Sequence, residues 1–184
     1  KCNVGCTFCS VGDTKGRVIS REHCDIFLDE LERTVIAKGI KRLSFTFHGG
    51  EPTLLGAPLI DDLCDRVSAI PAKISFNMQS NLFALSDDLK EVVIRRRIRL
   101  GTSVDPLSAD RITKSGDDIF DRWLANYLDL AASGSPPGAI YVVTRNSLGQ
   151  ADRILATCEA IGALAGQRFS LQINPVYPQG RVIR

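Results

Sequence analysis

No stretch of the 184-residue sequence approaches the ~20 consecutive apolar residues that a membrane-spanning helix needs. The opening residues also lack the basic, apolar and small segments of a secretory signal, so the expectation is a soluble, cytoplasmic protein. Charge imbalance is missing as well. Twenty-three Lys plus Arg stand against 21 Asp plus Glu, for a net +2, which excludes a global pull toward nucleic acid or membrane surfaces. The basic run Arg95, Arg96, Arg97 and Arg99 lies where a predicted helix ends, a position that favours cations without any ligand. Histidine is scarce, with only His23 and His48, so the second Cys or His pair that a typical structural zinc site draws on is missing. Internal repeats and low-complexity tracts are absent, and no catalytic dyad stands out.

What is present begins with 44% apolar residues, enough at this length for one domain with a substantial core. From Ser20, a possible N-cap, Cys24, Phe27, Leu28, Leu31 and Val35 follow helical spacing up to Gly39. Leu43, Phe45 and Phe47 then alternate with polar residues as a strand does, and His48, Gly49, Gly50, Glu51 and Pro52 end the run. The alternation continues with a helix around Leu59 to Val67, a strand over 74–78, and a helix opening at Ser86, Asp87 and Asp88. It closes with strands over 98–104, 140–143 and 169–173 and helices over 120–130 and 154–164. Five strands alternating with five helices predict an α/β fold, a parallel sheet with outer helices, because parallel neighbours need crossover connections. Ligands in such folds gather at the C-terminal strand ends. The candidate loops are therefore 47–53, 78–82, 103–106, 144–146 and 174–177.

Six cysteines divide unevenly. Cys24, Cys64 and Cys158 are scattered on predicted helices, whereas Cys2, Cys6 and Cys9 fall within one loop. Three soft thiolates at this spacing can wrap one metal centre, and a four-iron cluster held by three cysteines keeps one iron open to a further ligand. A zinc site completed by His23 or Cys24, unligated thiols, and a non-catalytic iron–sulfur or zinc module remain alternatives on spacing alone.

The run Cys2-Asn3-Val4-Gly5-Cys6-Thr7-Phe8-Cys9, Cys-x3-Cys-x2-Cys with an aromatic before the last cysteine, resembles the signature of the radical S-adenosylmethionine (SAM) superfamily. Gly49-Gly50-Glu51-Pro52 resembles that family's GGEP motif, which recognises the amino group of SAM. Met78-Gln79-Ser80-Asn81 is similar to its Gln-Thr-Asn-Gly loop, and Ser103-Val104-Asp105-Pro106 to Ser-Leu-Asp-Gly. This sequence departs from those loops at Ser80, Leu82 and Pro106. The resemblance implies a partial (β/α)6 barrel and a [4Fe–4S] cluster on Cys2, Cys6 and Cys9. Its open iron would be chelated by SAM, whose reductive cleavage yields a 5′-deoxyadenosyl radical. It further implies SAM contacts from Phe8, Gly49, Gly50, Glu51, Pro52, Gln79, Asn81, Ser103 and Asp105, with Arg111 reaching the carboxylate. His48 and Tyr177 are possible proton donors.

On this resemblance, residues 1–184 form a core domain whose leading strand and cysteine-rich SPASM region lie outside the sequence. The implied substrate is a peptide or protein, with maturation of a ribosomal precursor peptide favoured over oxidation of a sulfatase-like target. The implied partner is an electron donor such as flavodoxin or ferredoxin. Action on a small cofactor precursor is the competing enzyme reading.

Overall fold

The computed structural model describes residues 1–11, 16–107 and 110–177. Helix α1 spans Arg21–Lys38, strand β1 Arg42–Phe47, α2 Ala57–Ser68, β2 Lys73–Ser80 and α3 Asp87–Arg95. Then come β3 Arg99–Val104, α4 Phe120–Ala132, β4 Gly138–Val143, α5 Ala151–Leu164 and β5 Leu171–Pro175. All five strands are parallel, in the order β1-β2-β3-β4-β5. Each strand lies beside its sequence neighbour, and between each pair the chain returns through a helix, as parallel pairing demands. The fold is the parallel α/β architecture of a partial barrel, as the sequence pattern and the resemblance lead one to expect. Among the described residues no helix is long and apolar enough to cross a membrane.

The helix boundaries follow local chemistry. Ser20 adopts the extended N-cap conformation and its hydroxyl accepts the His23 N–H at 3.3 Å. At the other end Gly39 takes φ +60°, the left-handed geometry that closes α1 by bonds from its own N–H and that of Ile40 to the last carbonyls. Ser86 stands at the N-cap of α3 but makes no side-chain cap bond. Arg95 and Arg96 at the end of α3 bind Asp61 of α2, and Arg96 also reaches Asp65 at 2.6 Å. The basic run thus ties α3 to its neighbour.

The strands present two different faces. Phe76 and Met78 of β2, Leu100 and Val104 of β3, and Ala139 and Tyr141 of β4 are buried against the helices in the main core. Trp123 of α4 lies in this layer with its indole N–H on Thr102 at 2.9 Å and its ring stacked on Tyr127, so the one polar atom of the largest core side chain is satisfied. The alternate residues Gln79, Ser103, Ile140, Val142 and Asn174 face the other way, into a cavity. Strand periodicity therefore separates an apolar structural face from a mixed, ligand-accessible one.

Candidate functional site

The cavity occupies about 390 Å³ at the C-terminal ends of the strands. Cys2, Cys6 and Cys9 line it together with Phe8, Gly49, Gly50, Glu51, Gln79, Asn81, Ser103 and Arg111. Segments from both ends of the sequence, Cys2 to Tyr177, are collected here: the loops that follow the strands meet at one end of the parallel sheet, and the cysteine loop packs against them. Residues 174–177, at and just beyond the end of β5, also line the cavity, with Tyr177 exposed at its rim. His48 lines it too, its Nδ1 accepting the N–H of Gly49 at 2.7 Å. Residues 178–181 of the turn-rich run Asn174-Pro175-Val176-Tyr177-Pro178-Gln179-Gly180-Arg181 lie outside the described residues.

The cysteine loop is seated by backbone bonds rather than by regular structure. Gly5 N–H donates to Ile112 O at 2.7 Å and Thr7 N–H to Asp110 O at 3.0 Å, while Val4 and Thr113 form an antiparallel bridge. Cys2, Val4 and Cys6 pack with Ile119, and Phe8, Cys9 and Phe83 border that small apolar cluster. On the other side Glu51 N–H donates to Lys1 O at 2.9 Å. The glycines are required there. Gly49 has φ +129°, and a Cβ on Gly50 would stand 2.2 Å from Lys1 O, inside the backbone that carries Cys2.

Glu51 is buried at 5% exposure, and its carboxylate is heavily engaged. Oε1 accepts from the Thr53 N–H, the Thr53 hydroxyl and the Ser80 hydroxyl at 3.1, 2.8 and 2.8 Å, and Oε2 accepts from Asn81 N–H at 2.8 Å. This carboxylate therefore clamps the β1 loop to the end of β2, and Oε2 keeps acceptor capacity toward a cation in the cavity. Glu51→Ala strands several buried donors, so an expected loss of about 3 kcal/mol in denaturant stability accompanies any loss of ligand binding. Glu51→Gln, which keeps one acceptor oxygen, is expected to lose less in the same urea titration.

Gln79 lies across Gly101 of the neighbouring strand, where an added Cβ would sit 2.3 Å from its Oε1, and its Nε2 points at the Ser103 hydroxyl at 3.4 Å. Pro52 and Asp105 do not line the cavity. Pro52 is buried at the start of a short 3-10 helix, Pro52–Leu55, and Asp105 organises its own loop. The Asp105 carboxylate accepts the Leu107 N–H at 3.1 Å and the N–H groups of Asp110 and Arg111 at 2.6 and 3.2 Å. In doing so it holds Arg111, which is buried at 5% exposure and whose Nε has no hydrogen-bond partner among the described residues. A guanidinium buried in the wall of a cavity suits an anionic ligand group.

Burial pushes the Cys6 thiol above its ordinary pKa, with Cys2 and Cys9 acting the same way, while the Arg111 guanidinium opposes them. The scattered cysteines lie elsewhere: burial raises Cys24 and Cys158 and pushes Cys64 up to about 11, which keeps these thiols protonated in the core. His23 is occupied at the α1 cap, its Nδ1 lying 2.6 Å from the Ser20 hydroxyl. Among the described residues no three His, Cys, Asp or Glu side chains converge tightly enough to hold a single ion. A cluster places each thiolate on a different iron, which requires the three cysteines to surround a space, and they do share the wall of one. The donor set, the cavity and the Arg111 guanidinium in its wall fit a cluster with an anionic co-ligand.

Residues 1–155 match the family model described as the radical SAM superfamily. This chain belongs to the radical SAM superfamily. Members of that superfamily use a [4Fe–4S] cluster and S-adenosylmethionine. A protein of Methanothermobacter thermautotrophicus described as uncharacterized is 29% identical over 130 residues, covering 68% of this chain and 47% of the relative. Among solved structures, anSMEcpe with bound AdoMet and a Kp18Cys peptide superposes with a TM-score of 0.81 at 21% identity, covering 96% of this chain and 49% of that one. SuiB of Streptococcus suis bound to S-adenosylmethionine gives a TM-score of 0.61 at 17% identity, covering 96% of this chain and 37% of that one. The radical SAM chain thus spans about half or less of the length of these relatives.

Asp110 carried no signal in the sequence. Buried at 7% exposure, it accepts from the Thr7 hydroxyl inside the cysteine loop, from the Thr144 hydroxyl after β4 at 2.5 Å, and from Asn146 Nδ2 at 3.1 Å. Its partners lie 34 to 103 positions away, beyond any local pattern. The 144–146 loop, expected to face ligand, serves as part of this brace. Ile140 and Val142 were also missed as cavity residues, since an all-apolar strand does not reveal which side faces the ligand.

Proposed function

We propose that Cys2, Cys6 and Cys9 hold a [4Fe–4S] cluster at which this protein reductively cleaves SAM, and that the resulting radical modifies a peptide or protein substrate. The observation that carries the reading is the gathering of the three cysteines, the Gly-Gly-Glu loop, Gln79, Ser103 and Arg111 around one cavity. When bound, the cluster supplies the electron that breaks a carbon–sulfur bond of SAM, leaving a 5′-deoxyadenosyl radical that abstracts hydrogen.

The protein's own part is placement and shielding. Glu51 Oε2 offers an acceptor to the amino group of SAM, and the Arg111 guanidinium in the cavity wall offers a donor to its carboxylate. Gly50 lets the cysteine-bearing backbone approach this loop closely, and Gly49 adds no side chain to the cavity. Ser103 and Gln79 present polar groups to the cofactor, and Phe8 presents an apolar surface to the adenine. Val4 and Ile119, packed on Cys2 and Cys6, exclude water from the cluster side of the site. Exposed Val11 and Tyr177 at the mouth provide apolar contact for an extended peptide. The peptide reading also draws on the anSMEcpe structure, which holds AdoMet and a peptide together. Ribosomal precursor maturation is the substrate class we favour, with a flavodoxin- or ferredoxin-like electron donor.

The test is anaerobic reconstitution with iron and sulfide, followed by dithionite and SAM, with 5′-deoxyadenosine quantified by mass spectrometry. The wild-type protein is expected to bind about four irons and form product, whereas Cys6→Ala loses both. Iron-loaded, folded wild-type protein that forms no 5′-deoxyadenosine overturns the reading. Turnover of small molecules but of no peptide overturns its substrate half.

A further inference from the structure

We propose that Asn81 tunes the cluster through an N–H hydrogen bond to the Cys2 thiolate, with Asn3 orienting it. The inference rests on Cys2, Cys6 and Cys9 holding a cluster.

Asn81 is buried at 6% exposure immediately after β2. Its carboxamide orientation is settled chemically. Asn81 Oδ1 accepts the Phe83 N–H at 2.9 Å, so the amino end must face the opposite way, because a flipped amide would set donor against donor. That amino group donates to Asn3 Oδ1 at 2.7 Å and lies 3.8 Å from Cys2 Sγ, within reach of a hydrogen bond to sulfur. Cys2 Sγ lies 3.9 Å from the same Asn3 oxygen, a contact in which only the protonated thiol can donate. As a metal-bound thiolate, Cys2 becomes an acceptor, and the Asn81 amide is the donor placed to serve it.

The backbone around Asn81 is held firmly. Its N–H binds Glu51 Oε2 at 2.8 Å. Leu82, fully buried, adopts φ +53°, a left-handed conformation that an unconstrained leucine avoids. Its N–H is held by the Ser80 hydroxyl at 3.0 Å and its carbonyl by Asn126 Nδ2 at 2.7 Å. These contacts over-determine a turn that delivers one amide to one sulfur.

The consequence is redox control. Reduction adds negative charge to the cluster and its sulfurs, so an N–H donor favours the reduced state and raises the potential. Cys2 is 7% exposed and packs with Val4 and Ile119, which limits competition from water. Asn81 is a positioning and tuning residue in this scheme.

The experiment is a redox titration of the reconstituted cluster, followed by EPR, in wild type, Asn81→Leu and Asn81→Asp. Leucine removes the donor without adding charge, whereas aspartate keeps the acceptor for Phe83 N–H. Both variants are expected to retain iron and show a lower midpoint potential than wild type. An Asn81→Leu cluster with the wild-type potential overturns the inference, even if Asn81→Asp shifts, since that shift would come from charge. In wild-type protein labelled with ¹⁵N in its asparagine side chains, pulsed EPR is expected to show nitrogen coupling to the reduced cluster. Absence of that coupling overturns the proposal without relying on a variant. Failure of wild-type protein to assemble any cluster overturns the underlying assignment instead.

Discussion

Gly50→Ala is expected to strip the protein of most of its iron-binding capacity while leaving the helix–sheet core folded. The added Cβ would lie 2.2 Å from Lys1 O, 2.6 Å from Lys1 C and 3.2 Å from Cys2 N. These are backbone atoms, so no rotamer change relieves the overlap. The Lys1–Cys2 segment must move away, breaking the Glu51 N–H bond to Lys1 O and withdrawing the first cysteine from the cavity. The main core, built from residues such as Met78, Tyr127 and Leu130, is a cluster separate from the one that packs the cysteine loop. Overpacking of this kind costs about 1–3 kcal/mol when the surroundings can shift. Circular dichroism is therefore expected to report a folded protein. Iron analysis after reconstitution should fall well below the wild-type stoichiometry. Wild-type iron content in Gly50→Ala would show that Cys2 is not held by this approach.

Asp110→Ala is expected to loosen the second half of the same loop and shorten cluster lifetime. One carboxylate joins Thr7, which sits between Cys6 and Cys9, to Thr144 and Asn146 beyond β4. Removing it leaves three donors to find water, at an expected cost of about 2 kcal/mol. Asp105 still braces the backbone of residues 110 and 111, so the loss concentrates on Thr7 and the 144–146 turn. The readout is iron release to a chelator. Release is expected to quicken several-fold in Asp110→Ala, and Thr144→Val should show a smaller effect because it removes only one of the three bonds. Equal release rates for wild type and Asp110→Ala would remove Asp110 from any role in holding the loop.

The strand and helix order was legible because it is written in local periodicity. Cys24, Leu28 and Val35 mark the inner face of α1, and Ser20 and Gly39 bound it by their own conformational chemistry. The cysteine loop and the Gly-Gly-Glu loop were legible through residue type and spacing, and their likeness to a known family agrees with the family model. Glu51 shows where that legibility ends. Its position in the motif suggested a ligand acceptor, whereas the folded protein also makes it a clamp on Thr53, Ser80 and Asn81. Pro52 and Asp105 sit in the recognised motifs yet support the wall from behind.

The alternating α/β pattern, the two ends of α1 and the three-cysteine loop can be read from residue order alone, because each depends on interactions within a few residues or on the chemistry of one side chain. That Asp110 braces Thr7, that Asn81 turns its amide to Cys2 and that Arg111 is buried in the cavity wall comes from folding of the whole sheet. Those outcomes depend on strand register. Pairing Gln79 with Gly101 and Ser103 with Ile140 fixes which loop residues meet across the sheet, and register is a collective result of packing the whole apolar face at once.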